Sequence, residues 1–175
     1  NELESHKLNF AHKVRESWLL SLEGTTGRNL SRSENFPGRN FNLDTYSVNP
    51  KLSYLLNKQT RFDVFYTYGS KSNQVGANEE LNQQRTGLAF IYTKSQQLSI
   101  NGEVNYIDND FKGSAFSPVA YQMLEGLQPG SNFTWSLLFQ KRITKYLDAN
   151  LSYFGRKSEN SKTIHTGSVQ LRAYF

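Results

Sequence analysis

The chain of 175 residues contains no cysteine, which excludes a disulfide scaffold and a zinc or iron–sulfur site held by cysteine. Its longest uninterrupted apolar run is Leu88–Tyr92, far short of the roughly 20 apolar residues that a membrane-spanning helix needs. Hydrophobic residues are also scarce, at 37%, whereas soluble globular domains hold about 45–50% on a closely similar count. The chain therefore has little material for the two-sided core of a soluble domain.

Aromatic residues, in contrast, are plentiful, with 12 Phe, 10 Tyr and 2 Trp, which is too many for a disordered segment. Apolar and polar residues alternate over much of the chain, as in Leu98–Tyr106, and this is the period of a half-buried strand. The pattern predicts an all-β chain with nine strands, at residues 5–13, 16–28, 39–56, 60–72, 81–94, 97–109, 131–142, 145–157 and 162–175. Most of them match the roughly 9–11 residues with which a tilted strand crosses a bilayer.

The third of these strands carries a shift in its apolar parity. Phe41 and Leu43 occupy odd positions, whereas Tyr46, Val48 and Leu52 occupy even ones. An extra residue in one strand moves the following side chains to the other face. The shift therefore predicts a β-bulge near residues 45–46.

The predicted connections alternate in length along the chain. The short ones lie near Val14–Glu16, Asn57–Gln59, Lys94–Gln96 and Ile143–Lys145. The longer ones lie at Arg28–Gly38, Lys71–Glu80, Asp108–Gly130 and Lys157–Ser161. Transmembrane barrels have short periplasmic turns and longer outer loops, whereas a soluble sandwich gives no reason for such a bias. The alternation therefore favours an antiparallel up-and-down transmembrane β-barrel, with residues 1–175 as one barrel segment.

Each strand has one apolar and one polar face, and in such a barrel the apolar faces contact lipid while the polar faces line the lumen. The charges expected in the lumen are Asp63, Glu103, Asp148 and Arg172. The aromatics expected in interfacial belts are Trp18, Tyr54, Tyr68, Tyr106, Trp135 and Tyr153. The alternative is a soluble ligand-binding β-sandwich, in which the apolar faces of two sheets meet inside the protein.

At the C-terminus Val169, Leu171, Ala173 and Phe175 share one face of the last strand. This ending resembles the last strand of Gram-negative outer-membrane β-barrel proteins, although Ala173 stands where that family often has an aromatic residue. The resemblance implies that these four residues form the signal read by the barrel-assembly machinery. It further implies a location in the cell outer membrane, with a periplasmic C-terminus, extracellular long loops, and contact with outer-membrane lipid and lipopolysaccharide.

Counting back from a periplasmic C-terminus makes the first of nine strands run inward from the outside. Bacterial single-chain barrels have an even number of strands, so at least one further strand is expected before it. The chain also begins at Asn1 rather than at Met. We therefore expect the C-terminal part of a larger barrel, with a complete eight-stranded barrel and a tail at residues 1–13 as the alternative.

The loop at residues 108–130 contains the signals of a short helix. Ser117 is a good N-cap, Pro118 suits the first helical position and Gly126 is a natural stop. The helix would carry an apolar stripe made of Ala120, Met123, Leu124 and Leu127. A solvated loop does not need such a stripe, so we expect it to dock, either on the barrel mouth as a constriction or lid, or on a surface partner.

The titratable residues do not form a pattern that indicates catalysis. His6 and His12 would lie about 20 Å apart on a strand, which is too far for one metal ion. The acidic pairs Glu79-Glu80 and Asp108/Asp110 flank predicted outer loops. They suit loop solubility, with a calcium site, a lipopolysaccharide bridge or an acid–base pair as alternatives. We therefore expect no catalytic residue, no metal site and no cofactor.

The net charge of +5 is spread along the chain rather than gathered in a stripe, so a nucleic-acid partner is not expected. The expected function is a non-enzymatic integral outer-membrane component. It would serve as the membrane anchor or scaffold of a larger surface assembly, or as a pore, with other outer-membrane proteins or lipoproteins as partners. The alternative within the membrane is an outer-membrane enzyme with His165 and Asp108 at its rim.

Overall fold

A computed structural model of the chain describes residues 2–35, 38, 40–76, 78–95, 97–159 and 161–174. Over these residues it has nine strands and one helix. They are β1 (Glu2–Arg15), β2 (Trp18–Ser31), β3 (Phe41–Leu55), β4 (Thr60–Asn73), β5 (Glu80–Lys94), β6 (Leu98–Lys112), α1 (Pro118–Met123), β7 (Gly130–Thr144), β8 (Leu147–Ser158) and β9 (Ile164–Ala173). No helix within the described residues is long and apolar enough to cross a membrane.

The strands form a single antiparallel sheet in the order of the chain, β1 to β9. The prediction of an all-β chain with nine antiparallel strands is thus confirmed. The sheet is not closed into a barrel, because β1 and β9 form its two edges and do not pair with each other. Every residue of β1 and of β9 is exposed, and each edge presents N–H and C=O groups without a strand partner among the described residues.

The turns between strands follow the predicted alternation. The connections β1–β2, β3–β4, β5–β6 and β7–β8 are short and lie at one end of the sheet, while the longer ones lie at the other end. Asn57 shows how a short turn forms, because its Oδ1 accepts hydrogen bonds from the backbone N–H groups of Gln59, at 2.8 Å, and Thr60, at 2.9 Å. The side chain replaces backbone partners that the turn would otherwise lack.

The register of the strands separates two faces along the whole sheet, because directly paired residues lie on the same face and successive residues on opposite faces. The apolar face includes one row made of Leu20, Leu52, Val64, Leu88, Val104 and Trp135. The polar face includes the adjacent row made of Leu19, Ser53, Asp63, Ala89, Glu103 and Ser136. The predicted alternation therefore becomes two continuous surfaces of different chemistry.

On β4 and β6 the polar face of the sheet is more buried than the apolar face. Asp63 is 5% exposed, whereas its neighbour Val64 is 50% exposed. Asn105 is 7% exposed, whereas Val104 is 41% exposed. In soluble proteins the polar residues are the ones mostly exposed. Since the sheet is one layer, this difference indicates that it curves around its polar face.

The bulge predicted near residues 45–46 is absent. β3 pairs with β2 from Phe41 to Tyr54, and with β4 from Leu43 to Leu55, without a register shift. Phe41 and Leu43 simply lie on the polar face. They are apolar because α1 packs on that face at this end of the sheet, so packing against the helix explains the parity shift.

Candidate functional site

The segment at residues 113–129, which connects β6 to β7, contains α1 and folds over the polar face. The helix begins as predicted. The Ser117 hydroxyl accepts a hydrogen bond from the Ala120 N–H at 2.9 Å, and Pro118 is the first helical residue. The helix ends at Met123, three residues before the predicted stop at Gly126. β6 also runs to Lys112, so the loop between the strands begins at residue 113 rather than at residue 108.

The apolar stripe of this segment packs against the sheet itself. Ala120, Met123 and Leu124 are fully buried, and Val119 is buried beside them with 5% of its surface exposed. Their partners at the ends of β3, β5 and β6 are Leu43, Leu81, Phe41 and Phe111. Leu127, the last residue of the predicted stripe, is only partly buried. The buried part of the stripe is therefore not available to an external partner while the segment is seated.

A second set of contacts holds the end of the segment through buried amides. The backbone carbonyl of Gln128 accepts hydrogen bonds from the Nδ2 of Asn109, at 3.0 Å, and the Nδ2 of Asn132, at 2.8 Å. The Oδ1 of Asn132 in turn accepts from the hydroxyl of Ser158, at 2.5 Å. Buried polar groups are costly when unpaired, so these bonds fix the segment where it leaves the sheet. The sequence offered no signal for this network, since its members come from three strands.

Charged side chains of the sheet contact the segment between these two anchors. Lys71 on β4 donates to the Met123 carbonyl, at 2.9 Å, and to Oε1 of Glu125, at 2.7 Å. Arg85 on β5 places Nη2 3.6 Å from Oε2 of Glu125. Arg156 on β8 donates to the Gly126 carbonyl at 2.9 Å. Three basic side chains from three strands therefore converge on the loop just after α1.

Glu125, which receives two of these contacts, has an unfavourable backbone conformation. Its φ is +56°, in the left-handed region that favours glycine. Burial raises the pKa of the Glu125 carboxyl, but the hydrogen bond from Lys71 and the charges of Lys71 and Arg85 lower it more, so the pKa lies below its ordinary value. The carboxylate is thus kept ionised between two cations.

The four charges predicted to face a lumen all lie on the polar face, but they do not form one cluster. Asp63 and Glu103 share a row with Ala89 between them, and Asp148 is paired across strands with Arg172. Each carboxylate has a partner close by. Asp63 lies 3.1 Å from Arg61 Nε, and Asp148 lies 3.5 Å from Arg142 Nε. Glu103 accepts a hydrogen bond from Asn105 Nδ2 at 2.8 Å. The Arg61–Asp63 contact is an ion pair whose atoms are not aligned for a hydrogen bond.

The six aromatics predicted to form belts all lie on the apolar face. Trp18 and Tyr54 are cross-strand partners with ring centroids 4.8 Å apart. Trp135 lies over its partner Gly155, where a Cβ would overlap the indole ring. The indole also meets the His165 ring edge-on at 5.7 Å. This packing of Trp135 was not predicted, because it depends on the register between β7, β8 and β9.

The residues predicted to form the assembly signal lie on β9, at the edge of the sheet. Val169 and Leu171 are exposed on the apolar face, and Ala173 is the last residue of the strand. Phe175 lies outside the described residues. The structure thus shows an exposed apolar edge strand at this position.

The candidate catalytic residues are not brought together. His165 accepts or donates a hydrogen bond with the Tyr153 hydroxyl at 2.8 Å. Asp108 lies on β6 opposite Gln84 and Ser131, and two strands separate it from β9, a distance of about 14 Å. Among the described residues, no three His, Asp or Glu side chains are grouped closely enough to hold a metal ion.

Compared with known proteins, the chain matches no protein-family model, and no curated protein matches its sequence. The features that bear on function are the two faces of the sheet and the segment seated on one of them.

Proposed function

We propose that the sheet is part of the wall of an outer-membrane β-barrel. Its apolar face contacts lipid, its polar face lines a lumen, and the 113–129 segment narrows that lumen at the end with the long loops. The barrel is a non-enzymatic integral membrane component. A narrowed lumen favours a membrane anchor or a selective channel over a wide, general pore.

The observation that carries this proposal is the reversed burial of the two faces. Large apolar side chains on one face, such as Val64 and Leu88, are half exposed or more. Exposed apolar area costs roughly 25 cal/mol per Å² in water, and soluble monomers rarely carry apolar patches larger than a few hundred Å². Lipid removes this cost, because hydrocarbon tails are as apolar as the side chains that they meet.

The open edges support a place within a larger barrel. Both β1 and β9 expose a full row of backbone groups, and hydrocarbon cannot hydrogen-bond such groups. In the proposed barrel further strands pair with both edges and close the wall. The exposed apolar residues of β9 are the part of the wall that the barrel-assembly machinery reads.

The soluble β-sandwich makes a different prediction about the apolar face. In a sandwich a second sheet covers that face, whereas in the proposed barrel lipid covers it. The described residues form one sheet, so such a second layer has to come from another chain or another region. Accessibility of the apolar face to lipid and to water therefore separates the two functions.

None of the 175 residues is a cysteine, so a single introduced cysteine is the one attachment point for a spin label within them. We would place a nitroxide at Val64→Cys or Val104→Cys on the apolar face, and at Gln140→Cys or Ser168→Cys on the polar face, where both native side chains are exposed, with the full protein in bilayers. Molecular oxygen concentrates in lipid and a nickel chelate stays in water. We expect labels on the apolar face to be relaxed mainly by oxygen, and those on the polar face mainly by nickel.

The opposite result would contradict the proposed barrel. Relaxation of the Val64→Cys and Val104→Cys labels by the nickel chelate, or a protein that stays dispersed without detergent, would support the sandwich. Planar-bilayer recordings then separate the two remaining functions, because a selective channel conducts ions and a plugged anchor does not.

A further inference from the structure

One region of the polar face carries no charged residue. It lies on β6 to β9, towards the short turns, and consists of two adjacent rows that the strand register defines. We call it the neutral patch. Its rows are Ser99, Gln140, Asn150 and Gln170, and Asn101, Leu138, Ser152 and Ser168.

The side chains of the neutral patch line a hollow of about 270 Å³, and none of the residues around it is charged. Charges stand immediately beyond it in both directions along the strands. Glu103 belongs to the next row on one side, and the pair Asp148 and Arg172 to the next row on the other. The patch is therefore a neutral island within a charged face.

An exposed aromatic ring borders the neutral patch. Phe154 lies on the polar face, in the row next to the patch, between Ser136 and Thr166. It is 46% exposed and lines the adjacent hollow, together with Glu103 and Arg156, rather than the hollow of the neutral patch itself. Leu138, within the patch, is also exposed. Neither residue packs in the apolar cluster beneath α1, so support of that helix does not explain their exposure.

The hydrogen-bonding groups of the patch retain capacity for a ligand. The hydroxyls of Ser152 and Ser168 lie 3.1 Å apart, and Asn101 donates to Ser99 over a long 3.5 Å. The Oδ1 of Asn150 is buried without a hydrogen-bond partner. Amides and hydroxyls each combine donors with acceptors, which suits a ligand that also presents both.

We propose that the neutral patch and Phe154 form a subsite for an uncharged, hydroxyl-rich ligand, namely a neutral oligosaccharide. Sugar hydroxyls match the amide and hydroxyl array, and the apolar C–H face of a sugar ring can stack on the exposed phenyl ring. Four strands make the array about 14 Å wide. The hollow is slightly smaller than typical ligand pockets of about 300–1,000 Å³, so it would hold one portion of a longer chain.

This inference does not depend on the lipid-facing proposal, because the patch lies on the opposite face of the sheet. The test uses the full protein in detergent and isothermal titration calorimetry. The neutral probes are maltohexaose and cellohexaose, and the acidic comparator is hexagalacturonic acid. We expect one neutral probe to bind, and the acidic hexamer to bind at least tenfold more weakly, because the carboxylates that enter the neutral patch would meet no cation there.

Two variants locate the binding, and one matched variant serves as the control. Phe154→Ala removes the stacking surface, and Asn150→Asp places a charge in the patch. We expect each to weaken the binding of the neutral probe at least tenfold. Asn49→Asp is the control. Asn49 lies on the polar face of β3, and its Oδ1 is also buried without a partner, so the same change there should leave binding unaltered.

The subsite is overturned if neither neutral probe binds, if the acidic hexamer binds as well as they do, or if Asn49→Asp weakens binding as much as Asn150→Asp. A fourth measurement tests whether the ring is free. If Phe154→Cys in the intact protein resists a water-soluble maleimide, other parts of the protein cover the patch and the proposal fails. These outcomes leave the spin-label result untouched, so the two proposals can fail separately.

Discussion

Lys71 Nζ lies 2.7 Å from Oε1 of Glu125 and 2.9 Å from the Met123 carbonyl. One lysine of the sheet thus neutralises a loop carboxylate and also caps the end of α1, where a helix leaves carbonyl groups unpaired. The contact joins β4 to a segment that begins two strands later. We therefore expect the position of the 113–129 segment on the sheet to depend on Lys71.

Replacing Lys71 by Met should loosen this segment without unfolding the sheet. The substitution removes a hydrogen bond to a carboxylate and one to a carbonyl, so we expect a loss of about 1–2 kcal/mol in local stability. Hydrogen exchange measures it through the amides of Leu124 and Gly126, which bond to the carbonyls of Ala120 and Tyr121.

The control for Lys71→Met is Lys112→Met. Lys112 forms an ion pair with Glu80 at 3.0 Å, but both side chains are largely exposed, and exposed pairs contribute about 0–1 kcal/mol. Exchange in the segment should remain as in the native protein. Equal acceleration by both variants would show that Lys71 does not hold the segment.

Two substitutions at Glu125 separate its charge from its backbone strain. Glu125→Gln loses the charge and keeps the side chain at a positive φ, whereas Glu125→Gly loses the charge and relieves the strain. A left-handed conformation costs a non-glycine residue roughly 1–2 kcal/mol. We expect the Gly variant to exchange the Leu124 amide more slowly than the Gln variant, by about fivefold or more.

Both variants lack the same ion pairs, so the comparison depends only on which of them has the faster exchange of the Leu124 amide. If this amide exchanges faster in Glu125→Gly than in Glu125→Gln, the positive φ is not a source of strain. The Gln side chain would then be making contacts that outweigh it.

The seating of the segment should weaken in acid. Because the pKa of Glu125 is lower in the folded protein than in the unfolded chain, its ion pairs stabilise the segment fully above the unfolded pKa of about 4.3. That stabilisation is lost as the pH falls through the lower folded value. Exchange of the Leu124 amide, corrected for its intrinsic pH dependence, should accelerate below pH ~4. The acceleration should be much smaller in Glu125→Gln. If the variant and the native protein accelerate equally, groups other than Glu125 cause the effect.

The helix start was predictable because its signals are local. Ser117 and Pro118 are adjacent in sequence, and the cap bond to Ala120 spans three residues. The apolar stripe likewise follows from helical spacing. The surface that the stripe covers was not predictable, since Leu43 and Leu81 lie on strands that only the fold brings beneath it.

The same dependence on the fold explains the incorrect bulge. Alternation in sequence reports which positions are apolar, but not what each face contacts. Phe41 and Leu43 are apolar on a face that is polar elsewhere, because α1 covers that end. A parity shift has the same appearance in sequence whether the backbone bulges or a helix packs across the strand. The nine strands were predictable because alternation holds over most of each one.

Gly155 offers a test of the register on which both faces depend. Trp135 lies over Gly155 across β7 and β8, and a Cβ there would overlap the indole, so Gly155→Ala should displace the ring and cost about 1–3 kcal/mol. The fluorescence of Trp135 should shift, and the urea midpoint of unfolding should fall.

Gly102→Ala is the matched control, because Gly102 shares the apolar face and a Cβ there meets no atom within 4 Å. Equal effects of the two substitutions would mean that glycine is needed for flexibility rather than for contact with Trp135. If Gly155→Ala changes neither the fluorescence nor the urea midpoint, β7 and β8 pair in another register. The assignment of residues to the two faces would then have to be revised from β8 onward.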